Sequence, residues 1–405
     1  STWEYKSDMT LYANWVNVLN YEEVTSNGKV TGYKAVPGVG MKNVTEVTVP
    51  ATYNGKNVVE LGSFAGYSKI VKLNIPNTIS YIDTVTGFTS CSSLKAVNVY
   101  DVEGYKGDVY YTSYDGVLYY NNEISVNSGW EVRFVPAGKD GHCEIMTGTV
   151  NIPVKAFYSS NITSVTIPYT VNTIGVSAFR YCYDLVSVEF EATPEGEDEV
   201  GLTLAENSFA SCSHLVSITL PKRTQSISTG YADYSNLNPF SYCYKLEEIN
   251  VEEGCKYFSS IGGILYTANK DKVILAPEGI SGEVKINTGT LKIGAYSFRG
   301  CDMITKVVIP GSVLEIEEQA FKYCYKLAEI EFADENETTL TIRTEAFYGC
   351  DLTYVELPRN ARVIETSAFG YNDNLTTVKV NSDNNEGTET LKFADGITQD
   401  SASYS

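Results

Sequence analysis

Short apolar alternations recur along the chain. The steps VNV 97–99, VEF 188–190, ITL 218–220, INV 249–251, VVI 307–309 and IEF 330–332 each set two apolar residues on one side of an extended segment. Such alternation predicts a strand three or four residues long with one face inward. Several related steps stop at proline, as at Pro50, Pro76, Pro168, Pro221, Pro310 and Pro358. Proline cannot donate the next ladder hydrogen bond, so it ends the strand. A different period precedes each alternation. Phenylalanine, cysteine and leucine or isoleucine stand at i, i+3 and i+6, as in Phe179, Cys182, Leu185 and in Phe321, Cys324, Leu327. That spacing predicts a short helical or 3-10 turn with all three on one side.

The phenylalanines count the units: Phe64, Phe88, Phe157, Phe179, Phe209, Phe240, Phe298, Phe321, Phe347 and Phe369. Seven carry a cysteine three residues on (Cys91, Cys182, Cys212, Cys243, Cys301, Cys324, Cys350), and the exceptions are Tyr67, Ser160 and Asn372. With nine cysteines in 405 residues, chance fills such a position about one time in forty-five, so this is a repeat. Tight units run 22 to 24 residues, and longer ones reach 31. Every insertion falls between a strand and the next phenylalanine, as in EATPEGEDEVG (191–201) and ADENETT (333–339). One edge is therefore fixed while the other tolerates loops, which is how stacked coils behave. A coil of about 23 residues cannot bury its own apolar side; stacking builds one continuous core.

The recurrent cysteine is expected on the inward side of the turn, as a small hydrophobe stacked above its counterparts. Stacked positions lie within disulfide reach. Bridging inside either consecutive trio, Cys182, Cys212 and Cys243 or Cys301, Cys324 and Cys350, would leave one thiol over. Buried, unbridged thiols are therefore expected, and an odd total of nine suits an oxygen-poor habitat if the protein is exported.

Units such as LKIGAYSFRGCDMITKVVIPGSVLEIEEQAFKYCYKLAEIEF (291–332) resemble the BspA-type, or Treponema-type, leucine-rich repeats of bacterial surface proteins. The resemblance covers about residues 40–380. It implies a leucine-rich-repeat solenoid, an α/β-type superhelix with short parallel strands on one face and short helical or 3-10 turns on the other. Two β-hairpins are expected to interrupt it, in 114–139 and 261–282, the second with ILYT and KVILAP around the turn ANKD. The expected organisation is an N-terminal cap or linker at 1–39, repeats at 40–100, a hairpin insertion at 101–150, repeats at 151–251, a second insertion at 252–287, repeats at 288–380 and a tail at 381–405. DMTLYANW (8–15) resembles the closing strand of an upstream β-rich module, and FADGITQD (393–400) the start of a third hairpin, so both ends look severed from a longer polypeptide.

Composition narrows the function. A hydrophobic content of 43% with 20% charged residues is that of a folded chain. The net charge of −20 argues against nucleic acid and against anionic membrane surfaces. No apolar run is long enough to span a bilayer, and no signal segment opens the chain. Tyrosine is the outlier, with 31 copies against 15 phenylalanines, and suits a secreted or surface-exposed protein.

Candidate chemistry is sparse. His142 and His214 are the only imidazoles; His214 occupies a variable repeat position, and His142 beside Cys143 lacks a third orienting group. Zinc-type cysteine pairs and phosphate-cradling glycine loops are missing from the sequence. The acidic stretches 194–200, 333–337 and 381–387 lack the ladder of a calcium loop and read as solvated insertions, with an adventitious Ca²⁺ the alternative. No catalytic residue, cofactor or metal is expected.

What remains is surface. Residues flanking the inward pair of each strand face outward: Ser187 and Glu189, Ser217 and Thr219, Glu248 and Asn250, Lys306 and Val308, Glu329 and Glu331, Tyr354 and Glu356, Thr377 and Lys379. This strand face is the candidate binding surface, because solenoids hold extended partners there. The pairs Tyr181 and Tyr183, Tyr242 and Tyr244, and Tyr323 and Tyr325 form a second candidate, either shielding the coils or making an aromatic band. The expectation is a monomeric, non-enzymatic extracellular adhesion segment that binds a protein or glycan. A structural spacer and a carbohydrate-binding accessory are the alternatives.

Overall fold

Three hydrogen-bonded ladders join successive coils. In the computed structural model, residues 17–83, 87–121, 129–197, 199–229, 231–232, 235–236, 238–333, 338–380 and 392–393 are described. Contacts divide the chain into two compact units, Ser1–Asn121 with Pro136–Lys139, and Asn122–Val135 with Asp140–Ser405.

In the first unit, Leu19–Ser26 and Lys29–Pro37 form an antiparallel hairpin, and Lys29–Pro37 pairs in parallel with Lys56–Leu61. A separate parallel ladder runs through Glu46–Thr48, Lys72–Pro76 and Ala96–Tyr100. Tyr111–Tyr114 and Val117–Asn121 pair antiparallel about Asp115 and Gly116. The segment Pro136–Lys139 is tied in by the Gly138 N–H donating to Leu94 C=O at 2.7 Å.

In the second unit each coil contributes a front strand, a back strand and a tight turn. The front carries parallel sets such as Asp140–Glu144, Asn161–Ile167 and Ser187–Phe190, or Ser281–Lys285, Met303–Pro310 and Glu329–Ala333. The back carries one-to-one registers such as Ile293 beside Ile316 and Ile316 beside Ile342. Between the two lie the buried apolar residues of every coil. Phenylalanine rings run through this core as a ladder, with centroids 4.6 to 5.9 Å apart and planes within 18° from Phe157 through Phe179 and Phe209 to Phe240. A second run joins Phe298, Phe321, Phe347 and Phe369.

The turns correct the α/β expectation. Each unit is a β-solenoid with almost no helix; among the described residues the one helix is the 3-10 turn Val39–Asn43. The reason lies two residues either side of most of the repeat phenylalanines. Ser177 and Tyr181 flank Phe179 at φ 55° and 64°, and Gln319 and Tyr323 flank Phe321 at φ 55° and 65°. A left-handed residue stops a right-handed helix, and non-glycine side chains pay for it in strain. The return is a third ladder. N–H groups of Ser177, Phe179 and Tyr181 donate to the carbonyls of Glu206, Ser208 and Ala210 in the next coil, at 2.7 to 3.0 Å. The alternate N–H groups of Ala178, Arg180 and Cys182 turn back to the carbonyl three residues earlier. The three-residue spacing of phenylalanine, cysteine and leucine thus reflects successive i+3 turns, not a helix.

The two expected hairpin insertions are not confirmed as interruptions. Ile264–Thr267 and Lys272–Leu275 do pair antiparallel, but Lys272–Leu275 continues in parallel to Lys292–Ile293 and so belongs to the back ladder. Trp130–Phe134 likewise pairs in parallel with Thr149–Ile152. The stretch 8–15, and all of 393–400 except Phe393, lie outside the described residues.

Candidate functional site

The seven turn cysteines are buried and carry no disulfide. They are more than small hydrophobes. The Cys182 thiol donates to Phe157 C=O at 3.0 Å, Cys243 to Phe209 C=O at 3.1 Å and Cys324 to Phe298 C=O at 3.1 Å. Cys91, Cys212 and Cys350 do the same to Phe64, Phe179 and Phe321, and Cys301 reaches Pro277 C=O. Burial pushes Cys182 and Cys350 up to about 12, so these thiols stay protonated and can donate.

Neither histidine pairs with a cysteine thiol. His142 is exposed with Nδ1 2.9 Å from Ser164 Oγ, while the adjacent Cys143 is buried, as alternate residues of a strand must be. His214 Nδ1 lies 2.6 Å from Tyr183 C=O. Among the described residues no cluster of three or more His, Cys, Asp or Glu is placed to hold a metal. Of the acidic stretches, residues 198, 334–337 and 381–387 lie outside the described residues.

On the strand face, the predicted outward residues stand in register. Ser164 and Thr166 lie beside Ser187 and Glu189, Ser217 and Thr219 beside Glu248 and Asn250, Lys306 and Val308 beside Glu329 and Glu331, and Tyr354 and Glu356 beside Thr377 and Lys379. Lys306, Val308, Asn250 and Thr377 are half-buried, and the others of the candidate set are exposed. Toward the C-terminal coils the charges satisfy one another. Lys306 Nζ meets Glu329 at 2.7 Å and Glu331 at 2.6 Å, which raises the lysine above its ordinary pKa. Lys379 meets Glu356 at 2.9 Å, and Glu356 also accepts from Tyr354 Oη at 3.1 Å, so its carboxyl sits below the usual range.

The turn edge is different. Several of its left-handed residues are tyrosines with exposed or half-buried rings, among them Tyr181, Tyr242, Tyr323 and Tyr371. Tyr158 meets Tyr181 edge-on at 5.3 Å, while Tyr323, Tyr348 and Tyr371 form a second run with centroids 5.9 and 4.6 Å apart. Lys322 and Arg299 stack over Tyr323, and Arg180 over Tyr181 at 4.8 Å. Tyr183, Tyr244, Tyr325 and Tyr371 remain more than half exposed, at 53, 59, 58 and 74%.

A depression of about 390 Å³ lies on this rim. Tyr181 and Tyr183 line one side and Tyr242 and Tyr244 the other, with Ser211, Ser213 and Arg180 completing it. It exists because the intervening coil carries serine at both positions where its neighbours carry tyrosine. The alternation Tyr-x-Tyr, Ser-x-Ser, Tyr-x-Tyr at 181–183, 211–213 and 242–244 is visible in the sequence, although only the stacking shows that it opens a gap. Arg180 was not a predicted site residue, and nothing local marks it.

Comparisons with known proteins follow the same lines. The BspA type leucine rich repeat region matches in six copies over residues 40–113, 150–262 and 286–395. The chain belongs to the BspA-type leucine-rich repeat family. No curated protein matches it. Among solved structures, a leucine rich cell surface protein of Faecalibacterium prausnitzii superposes with TM-score 0.53 at 22% identity, covering 92% of this chain and 89% of that one. A leucine-rich repeat protein of Bacteroides ovatus gives 0.53 at 20% identity, covering 97% and 99%. The pneumococcal vaccine antigen PcpA gives 0.52 at 20%, covering 93% and 83%. At these identities the likeness establishes the shared fold. Among the described residues no helix is long and apolar enough to cross a membrane.

Proposed function

We propose that this BspA-type chain is a non-enzymatic extracellular segment of a bacterial surface protein that captures ligands through its tyrosine rim. The observation that carries the reading is the run of half-exposed tyrosines on the turn edge, Tyr183, Tyr244, Tyr325 and Tyr371 among them. Aromatic rings with a polar tip are the side chains that most often anchor interfaces. The surface character of the F. prausnitzii relative agrees with an extracellular place. The strand face is a second reading, favoured by the exposed, in-register Ser187, Glu189, Ser217, Thr219 and Glu248. Its C-terminal part is weaker, because Lys306 and Lys379 already pair with Glu329, Glu331 and Glu356.

The test is capture of ligands from extracellular matrix and mucus extracts. One variant carries Tyr183→Ser, Tyr244→Ser, Tyr325→Ser and Tyr371→Ser; another carries lysine at Glu329, Glu331 and Glu356. Loss of capture by the tyrosine variant alone supports the rim. Loss by the lysine variant alone moves binding to the strand face. A chain that captures nothing in any form is a spacer.

A further inference from the structure

We propose that the depression between the Tyr181–Tyr183 and Tyr242–Tyr244 pairs binds one ring of an acidic glycan, a pyranose bearing a carboxylate. This deepens the rim reading and rests on it. The tyrosine pairs stand on coils two apart in the stack, so at a strand spacing of ~4.8 Å their backbones are separated by about 10 Å. A ring contacting both walls at ~3.5–4.0 Å fits that interval. Tyrosine faces carry the negative side of a quadrupole, and the C–H edges of a pyranose are what such faces attract.

The floor favours a sugar over a peptide. A peptide that adds as a strand is held largely through main-chain hydrogen bonds. Here three main-chain donors of the lining residues are already taken: Tyr181 N–H goes to Ala210 C=O at 2.9 Å, Ser211 N–H to Ser241 C=O at 2.8 Å, and Tyr242 N–H to Glu278 Oε2 at 3.0 Å. What the cleft presents instead is hydroxyls, from Ser211, Ser213 and the tyrosines, together with one guanidinium.

That guanidinium sets the charge of the ligand. Arg180 lies over Tyr181 at 4.8 Å, its Nε is buried without a hydrogen-bond partner, and no carboxylate of the described residues pairs with it. In a chain of net charge −20, an arginine without an anion beside an aromatic cleft is the exception. Glu278, whose Oε2 accepts from the Tyr242 N–H of the far wall, is pushed up to about 8 by burial and so stays largely protonated at neutral pH. A planar guanidinium binds carboxylate through paired hydrogen bonds.

The experiment is calorimetric titration of the whole chain with a hexuronic-acid trisaccharide, the matching neutral hexose trisaccharide and an acidic peptide. The hexuronate is expected to bind, and more weakly as salt rises. The neutral sugar, Arg180→Gln and the pair Tyr183→Ser with Tyr244→Ser should each weaken binding about tenfold or more. Circular-dichroism melting unchanged in the variants confirms that they fold. Three results overturn the proposal: no hexuronate binding at millimolar concentration, equal binding of the neutral sugar or by the variants, or binding of the acidic peptide only. If the extract-capture test still depends on the tyrosines while hexuronate fails, the rim reading stands and the glycan assignment falls.

Discussion

Asn372 and Phe347 stand in the relationship that cysteine and phenylalanine hold elsewhere in the stack. The Asn372 side-chain N–H donates to Phe347 C=O at 2.8 Å, one coil earlier, and to its own coil's Phe369 C=O at 2.9 Å. Asparagine is one of the three departures from cysteine at this position, and it supplies the same kind of donor. At Asn372, as at the seven cysteines, the position carries a buried group with a hydrogen to give, whereas the buried Ser160 hydroxyl makes no such bond and Tyr67 is half-buried. A thiol is a weak donor that costs little to bury.

Replacing Asn372 tests that reading. Asn372→Ala leaves two phenylalanine carbonyls short of a donor, and a loss of about 1–3 kcal/mol is expected in denaturant unfolding. Asn372→Cys should recover part of it. Equal loss in both variants would show that the donor is irrelevant.

Thiol reactivity follows from burial. Cys255 is the one cysteine that is partly exposed; the others are buried, and Cys182 and Cys350 are held up to about 12. A water-soluble disulfide reagent should label one thiol per native chain quickly and the rest only on unfolding. Fast labelling of several thiols would contradict the stacked core.

Glu278 makes stability depend on pH in an unusual direction. Its carboxyl is raised to about 8, first by burial and further by Asp302, while the Tyr242 N–H pulls the other way. The folded chain thus holds this proton more tightly than the unfolded chain, whose value is near 4.5. The associated stability is full below about 4.5 and is lost as pH rises through about 8. Glu278→Gln keeps a carbonyl acceptor and has no proton to lose. It should melt above the parent at pH 8 to 9, by the equivalent of ~2–4 kcal/mol at most. The lowered carboxyls of Glu315 and Glu365 act below their ordinary range and leave this window untouched. Identical melting profiles from pH 5 to 9 would refute the assignment.

Arg223 holds three turns. Its guanidinium, 4% exposed, donates to Val171 C=O at 2.5 Å, Val200 C=O at 3.2 Å and Pro168 C=O at 3.4 Å. Burial lowers it to about 10, partly offset by Glu199 and Glu252. Arg223→Met should cost about 2–4 kcal/mol in denaturant unfolding, because it removes donors from buried carbonyls. Lysine should recover little, since a point charge cannot span the three acceptors. A lysine variant as stable as the parent would count against the fork geometry.

The coil was legible because its signals are local and repeated. Phe179, Cys182 and Leu185 are all fully buried, and Ser187 and Glu189 are exposed where the alternation placed them outward. The turn was misread for a physical reason. A three-residue spacing fits a 3-10 helix and a chain of i+3 turns equally well, and nothing in Ser177 or Gln319 announces a positive φ. Their conformation is held by acceptors in the following coil. The pairing of Lys306 with two glutamates and the gap above Ser211 were hidden for the same reason, since both are contacts between coils.

The amino-acid order alone determined the length of the coil, which side chains face inward, and where insertions are tolerated. Each of these is set within one repeat, by apolar spacing and by proline ending a strand. Only the stacked structure decided the left-handed turns, the partners of the thiols and the cleft between the tyrosine pairs. Those features depend on donors and acceptors that meet across more than twenty residues of chain, where spacing within a single repeat carries no information.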